Sequence, residues 1–74
     1  MKFDYSKLRG RAREMTKTQE SLAMVSGMKE ATYSQKINNN SEFKQSEILQ
    51  ICEALNIPHD QIHAYFFTQA VQES

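Results

Sequence analysis

Apolar residues in this chain arrive in small groups spaced three and four apart, and each group is soon interrupted, so the regular elements are held to about three turns of helix. Leu8, Ala12 and Met15 form the first group, Leu22 and Ala23 with Val25 the second, Tyr33 and Ile37 the third, and Ile48, Ile51, Cys52 and Leu55 the fourth. The interruptions include Gly27, the polar run Asn38-Asn39-Asn40-Ser41 and Asn56-Ile57-Pro58. Each suits a left-handed residue or a tight turn better than another turn of helix. With two glycines, one proline, no Ser/Gly-rich linker and no internal repeat, the pattern predicts a single all-α unit. It should be a compact bundle of about five short helices.

Local chemistry places the boundaries. Asp4 can accept from the free N–H groups of a first helix over residues 5–14, and Thr18 is a good N-cap for a second that ends at Gly27. A third runs over residues 30–38. The fourth starts behind Lys44, a poor cap, but Phe43 and Ile48 fit a hydrophobic staple and Glu47 meets the positive end of the helix dipole. A short fifth helix follows Pro58, carries Ile62 and leads into Tyr65-Phe66-Phe67, while residues 68–74 suit a strand, a helix extension or a tail. Met15, Met24 and Met28 are expected to fill gaps near the helix junctions.

Size and composition exclude several classes. A chain of 74 residues makes one thinly cored domain with no room for a large enclosed active site. No nucleophile-base pair, phosphate-cradling loop or paired catalytic carboxylates can be assembled, so no enzyme activity and no cofactor are expected. The single cysteine, Cys52, lies on the apolar stripe of the fourth helix and reads as core volume, without a partner for a disulfide or a zinc site. His59 and His63 are spaced i,i+4 with Asp60 between them, but lack the converging ligands of a metal site and read as ordinary surface or half-buried histidines. The first residues lack the apolar run of a signal peptide and no stretch approaches the ~18 apolar residues of a membrane span, so a cytoplasmic protein with no membrane partner is expected.

Nine Lys and Arg balance nine Asp and Glu, which argues against binding nucleic acid through bulk charge. The distribution is uneven. Residues 1–13 hold Lys2, Lys7, Arg9, Arg11 and Arg13 against one acid, Asp4, whereas residues 47–74 hold four acids and no Lys or Arg. The three arginines are expected on a mainly solvated face, where one of them can reach a phosphate.

The segment Gln19-x-x-Leu22-Ala23-x-x-x-Gly27-x-x-x-x-Thr32-x-Ser34-x-x-x-Asn38 resembles the helix-turn-helix of the Cro and repressor families of temperate bacteriophages, with a lambda-repressor-like fold. Phe3-Asp4-Tyr5-x-x-Leu8, Ser34-x-Lys36-Ile37-Asn38-Asn39, Phe43-x-x-x-Glu47-Ile48 and Tyr65-Phe66-Phe67 extend the resemblance along nearly the whole chain, to short Cro-like proteins of phages infecting Gram-positive bacteria. That neighbourhood includes modulator-of-repression proteins, which bind the main phage repressor. The resemblance implies a helix-turn-helix DNA-binding domain over residues 1–67, with residues 68–74 as a tail or dimer contact, working in the bacterial host cytoplasm. It implies a Cro-like repressor on double-stranded operator DNA, or alternatively a modulator of repression whose main partner is the repressor protein.

Carried over residue by residue, the resemblance puts Glu30, Ala31 and Gln35 where base edges are read, with Thr32 and Ser34 nearby. Gln19, Lys29, Lys36, Asn38 and Asn40 fall where phosphates are touched. Two departures stand out. The apolar residue expected at position 36 is displaced to Ile37, which implies a slightly rotated third helix. A carboxylate at Glu30 is repelled by phosphate unless it accepts from a cytosine amino group, which implies weak DNA binding. A homodimer is expected to use Tyr65, Phe66, Phe67 and the tail to Val71, the competing reading being that these rings close the core over the first helix.

Overall fold

A computed structural model describes residues 2–71. The order is α1 (Ser6–Glu14), α2 (Gln19–Val25), α3 (Glu30–Ile37), α4 (Gln45–Ala54), and a 3-10 turn (His59–Gln61) that runs into α5 (Ile62–Phe66). Among the described residues the extended pairing is a single antiparallel bridge between Phe3 and Gln69. The all-α expectation therefore holds.

Three helices, α1, α2 and α4, start where a side chain satisfies an opening N–H group. Asp4 accepts from the backbone N–H of Ser6 at 2.9 Å and from the Ser6 hydroxyl. Those bonds, the hydroxyl's first, hold its carboxyl below the usual range. Thr18 and Ser21 cap α2 reciprocally: the Ser21 N–H donates to Thr18 Oγ1 at 3.1 Å and the Thr18 N–H to Ser21 Oγ at 3.0 Å. At α4 the carboxylate of Glu47 accepts from the Lys44 N–H at 2.8 Å. A lysine thus serves as N-cap residue because the third helical position supplies the acceptor.

The first four helices end in one geometry. Thr16, Gly27, Asn39 and Asn56 have φ of +55°, +74°, +66° and +53°. In each case the next residue's N–H reaches back to the last full turn: Lys17 to Ala12 O, Met28 to Ala23 O, Asn40 to Gln35 O and Ile57 to Cys52 O, all at 2.8 Å. This is the Schellman ending, which satisfies carbonyls the helix leaves open. Glycine and asparagine suit it, but a β-branched threonine does not. Gly27→Val should therefore lower stability by more than ~1 kcal/mol, and Thr16→Gly should raise it or leave it level, since the strain removed offsets the added chain entropy. Thermal melts of the two variants check both signs, and a neutral Gly27→Val would remove the turn's requirement for glycine.

Leu8, Leu22, Ile51, Cys52, Leu55 and Phe66 are almost wholly buried at the centre, with Ala12, Ala23, Tyr33, Ile37, Ile48 and Ile57 around them. Burial pushes the Cys52 thiol up, which suits a packing role and not a nucleophile. Phe43 stands at the hub of an aromatic cluster, edge-on to Tyr5 at 5.5 Å, Tyr33 at 5.8 Å and Phe66 at 5.5 Å. Such pairs contribute about 0.5–1.5 kcal/mol beyond area burial. Phe66, expected at a dimer contact, is instead 2% exposed and closes the core; Phe67 and Val71 are exposed, at 41% and 90%. Met24 and Val25, expected inside, lie on the outer face of α2 at 73% and 46% exposure, because seven residues of helix offer the core little more than Leu22 and Ala23.

Side chains tie the helices together at their C-terminal ends. Arg11 Nε donates to Leu55 O at 2.9 Å, and Arg9 Nη2 donates to Ile37 O at 3.3 Å and to Asn38 Oδ1 at 3.0 Å, so two arginines of α1 meet the negative ends of α4 and α3. The chain ends pair beside them. Asp4 N donates to Thr68 O at 2.7 Å and Ala70 N to Lys2 O at 3.0 Å, while the Asn39 side-chain amide takes both backbone groups of Phe3 at 2.8 Å. The segment 68–71 thus runs as extended chain along the N-terminal segment. Residues 72–74, the end of the expected tail or dimer contact, lie outside the described residues.

Candidate functional site

The turn of residues 26–29 sets α3 across α2, and α3 presents one face outward. Lys29, Glu30, Ala31, Gln35 and Asn38 are exposed on or beside it, Thr32 and Ser34 are half-buried, and Asn40 is exposed in the following turn. Gln19 is exposed at the first position of α2. Nine of the ten residues singled out by sequence are therefore at least partly accessible. Asn38 is largely committed to the helix end, since its Nδ2 donates to Ser34 O at 2.8 Å and its Oδ1 accepts from Arg9.

Lys36 departs from expectation. It was placed at the phosphate-touching edge, but its side chain is 6% exposed and its Nζ lies 2.6 Å from Oε1 of Glu47, itself 9% exposed. Tyr33, Lys36 and Ile37 all point inward, at i, i+3 and i+4, so position 36 is interior although it holds a lysine. A lysine occupies an interior position because α4 supplies its counter-ion. The same carboxylate oxygen caps α4 through Lys44 N–H, so one buried atom joins the end of the α3 face to the start of α4. Burial pushes the Glu47 carboxyl up, but the bonds from Lys36 and Lys44 N–H and the charges of both lysines outweigh it and hold the group below its usual range.

Internal contacts also engage several cations, of which Lys36 is buried while Lys7 and Arg9 stay exposed. Besides Lys36, Arg11 pairs with Glu14 at 3.2 Å and with Leu55 O, Arg9 with the end of α3, and Lys7 sits 4.8 Å over the Tyr65 ring. The outward face of α3 carries Lys29 and Glu30 side by side with neutral residues, a surface of mixed sign. Among the described residues no three or more His, Cys, Asp and Glu side chains gather as metal ligands would, and no helix is long and apolar enough to cross a membrane.

A family model described as a protein of unknown function, DUF739, matches residues 1–69. No curated protein matches the chain at a comparable level. Among solved structures, the chain is similar to the solution structure of the modulator of repression of the temperate bacteriophage TP901-1 from Lactococcus lactis, at 36% identity, over 97% of each chain, with a TM-score of 0.75.

Proposed function

The chain belongs to the DUF739 family, and we propose that it acts as a modulator of repression, binding the repressor protein of a temperate phage and biasing the choice between lysis and lysogeny. The observation that carries this reading is the likeness to the TP901-1 modulator along the full length of both chains. The surface supports it. A zero net charge, the burial of Lys36 and a mixed-sign outward face on α3, where Lys29 stands beside Glu30, leave that helix with little net positive charge to hold a phosphate backbone. Exposed Met24, Val25, Leu49 and Phe67 give a protein partner adaptable apolar contacts.

A second reading, a Cro-like repressor that seats α3 in the major groove of operator DNA, is favoured by one observation. Gln35 and Ala31 remain exposed along that helix. In this reading Gln19, Lys29 and Asn40 touch phosphates, and a homodimer formed through Phe67 and the segment to Val71 doubles the contact. The two readings part in a titration of the purified protein against a duplex from its own promoter region and against the repressor encoded beside it, at two salt concentrations. A stable complex with the repressor, and weak, sequence-blind duplex binding by the protein alone, are expected. Tight duplex binding that discriminates operator from scrambled DNA, without the repressor, would move the assignment to the second reading.

A further inference from the structure

Between α1, the start of α2 and α3 the surface opens into a cleft of about 220 Å³. Arg9, Arg13 and Lys17 stand on its rim with no carboxylate among its lining residues, and Ala12, Leu22 and Ile37 form an apolar floor. Tyr33 completes the wall. Burial pushes its phenol up to about 12 against the opposing charge of Arg9, so at neutral pH the hydroxyl is a donor. Among the described residues the side chains of Arg13 and Lys17 have no hydrogen-bond or ion-pair partner, and Arg9 uses Nη2 alone. Three like charges facing one small space repel each other, and an anion placed among them relieves that repulsion.

The floor decides which anion. A phosphodiester holds its charge between two ester carbons, whereas a carboxylate on a methylene stem has its charge at one end and its apolar carbons at the other and so matches both layers, stem to floor and charge to rim. We propose that this cleft receives an acidic side chain, glutamate or aspartate, of the protein partner. That the partner is the repressor rests on the modulator reading; the cleft's preference for a carboxylate on an apolar stem does not. Lys17 and Tyr33 thereby join Gln19, which also borders the cleft, as binding residues.

The test has two arms. In the first, isotope-labelled protein is titrated with N-acetylglutamate N-methylamide and, separately, with dimethyl phosphate and with duplex DNA, while backbone amide shifts are followed by NMR. Saturable shifts confined to the cleft for the glutamate probe, weaker ones for dimethyl phosphate, and loss of the glutamate shifts in Arg13→Glu/Lys17→Glu are expected. In the second, the same double variant and its milder form Arg13→Gln/Lys17→Gln are titrated with the repressor, with thermal melts showing that both remain folded. Repressor binding should weaken roughly tenfold or more for the reversal and less for the neutral pair. Glutamate shifts scattered away from the cleft, unchanged repressor affinity in the reversal, or phosphate and duplex outcompeting the carboxylate in the cleft would each overturn the proposal. Cleft-confined glutamate shifts in a protein that binds no repressor would support the site and overturn the modulator reading instead.

Discussion

Phe66→Ala is expected to remove a large share of the chain's stability and to melt far below the parent. The ring is 2% exposed and meets Tyr5 at 6.5 Å and Phe43 at 5.5 Å, so its removal opens a cavity where α5 closes over α1. A buried Phe→Ala change costs about 3–5 kcal/mol, and a domain of 74 residues holds a total stability of roughly 4–11 kcal/mol at the usual ~0.05–0.15 kcal/mol per residue. The two ranges overlap. Truncation after Ala64 should be harsher still, because it also removes the Thr68 and Ala70 contacts that hold the N-terminal segment. Phe67→Ala, at a 41% exposed position, is the control and should melt close to the parent. Circular dichroism and one-dimensional NMR read all three, and a cooperative melt of Phe66→Ala near the parental temperature would show that the aromatic cluster is not what closes the fold.

Breaking the Lys36–Glu47 pair from either side should cost about 3–5 kcal/mol, because the remaining charge is left buried without its partner. Glu47→Leu also uncaps α4 by leaving the Lys44 N–H without its acceptor. The double variant Lys36→Met/Glu47→Leu removes both charges and should recover most of the loss, falling short of the parent by about the ~1 kcal/mol of the lost cap. Denaturant melts of the four proteins give the coupling directly, and additive losses would mean that the two groups do not depend on each other. Acid acts on the same pair. The folded state holds Glu47 below its ordinary value of 4.5, so its contribution is complete above that value and is lost as pH falls through the lowered folded one. The parent should lose stability on acidification over that window, and the double variant should lose less.

The helices and their ends could be read from the sequence because the signals are local. Thr18, Gly27 and the Asn38–Asn40 run act on neighbours within a turn, and spacings of three and four put Leu8, Leu22, Tyr33, Ile37 and Ile51 inside. What escaped depends on residues distant in sequence. Lys36 reads as surface in any window of α3, since the carboxylate that makes its burial tolerable is 11 positions away. Asn39 reads as a turn residue and is one, but its amide also holds Phe3 across 36 positions. The cleft is half legible: the resemblance places Gln19 at an interface, whereas Lys17 and Tyr33 carry no such signal, because a rim shared by three helices has no period in any one of them. The resemblance implies an apolar residue at position 36, and the lysine found there is the one sequence signal that bears on the buried pair.

With Lys2 O and Ala70 N 3.0 Å apart and Asp4 N bound to Thr68 O, residues 68–70 return to lie beside residues 2–4. In topological terms residues 2–71 form a ring with one cut. A linker of a few residues can close that cut, and new ends opened in the exposed stretch 40–42 should give a circular permutant with the same five helices. Labels attached before residue 2 or after residue 71 share one edge of the molecule, so a dye pair placed there should report separation of this seam before it reports melting of the helices.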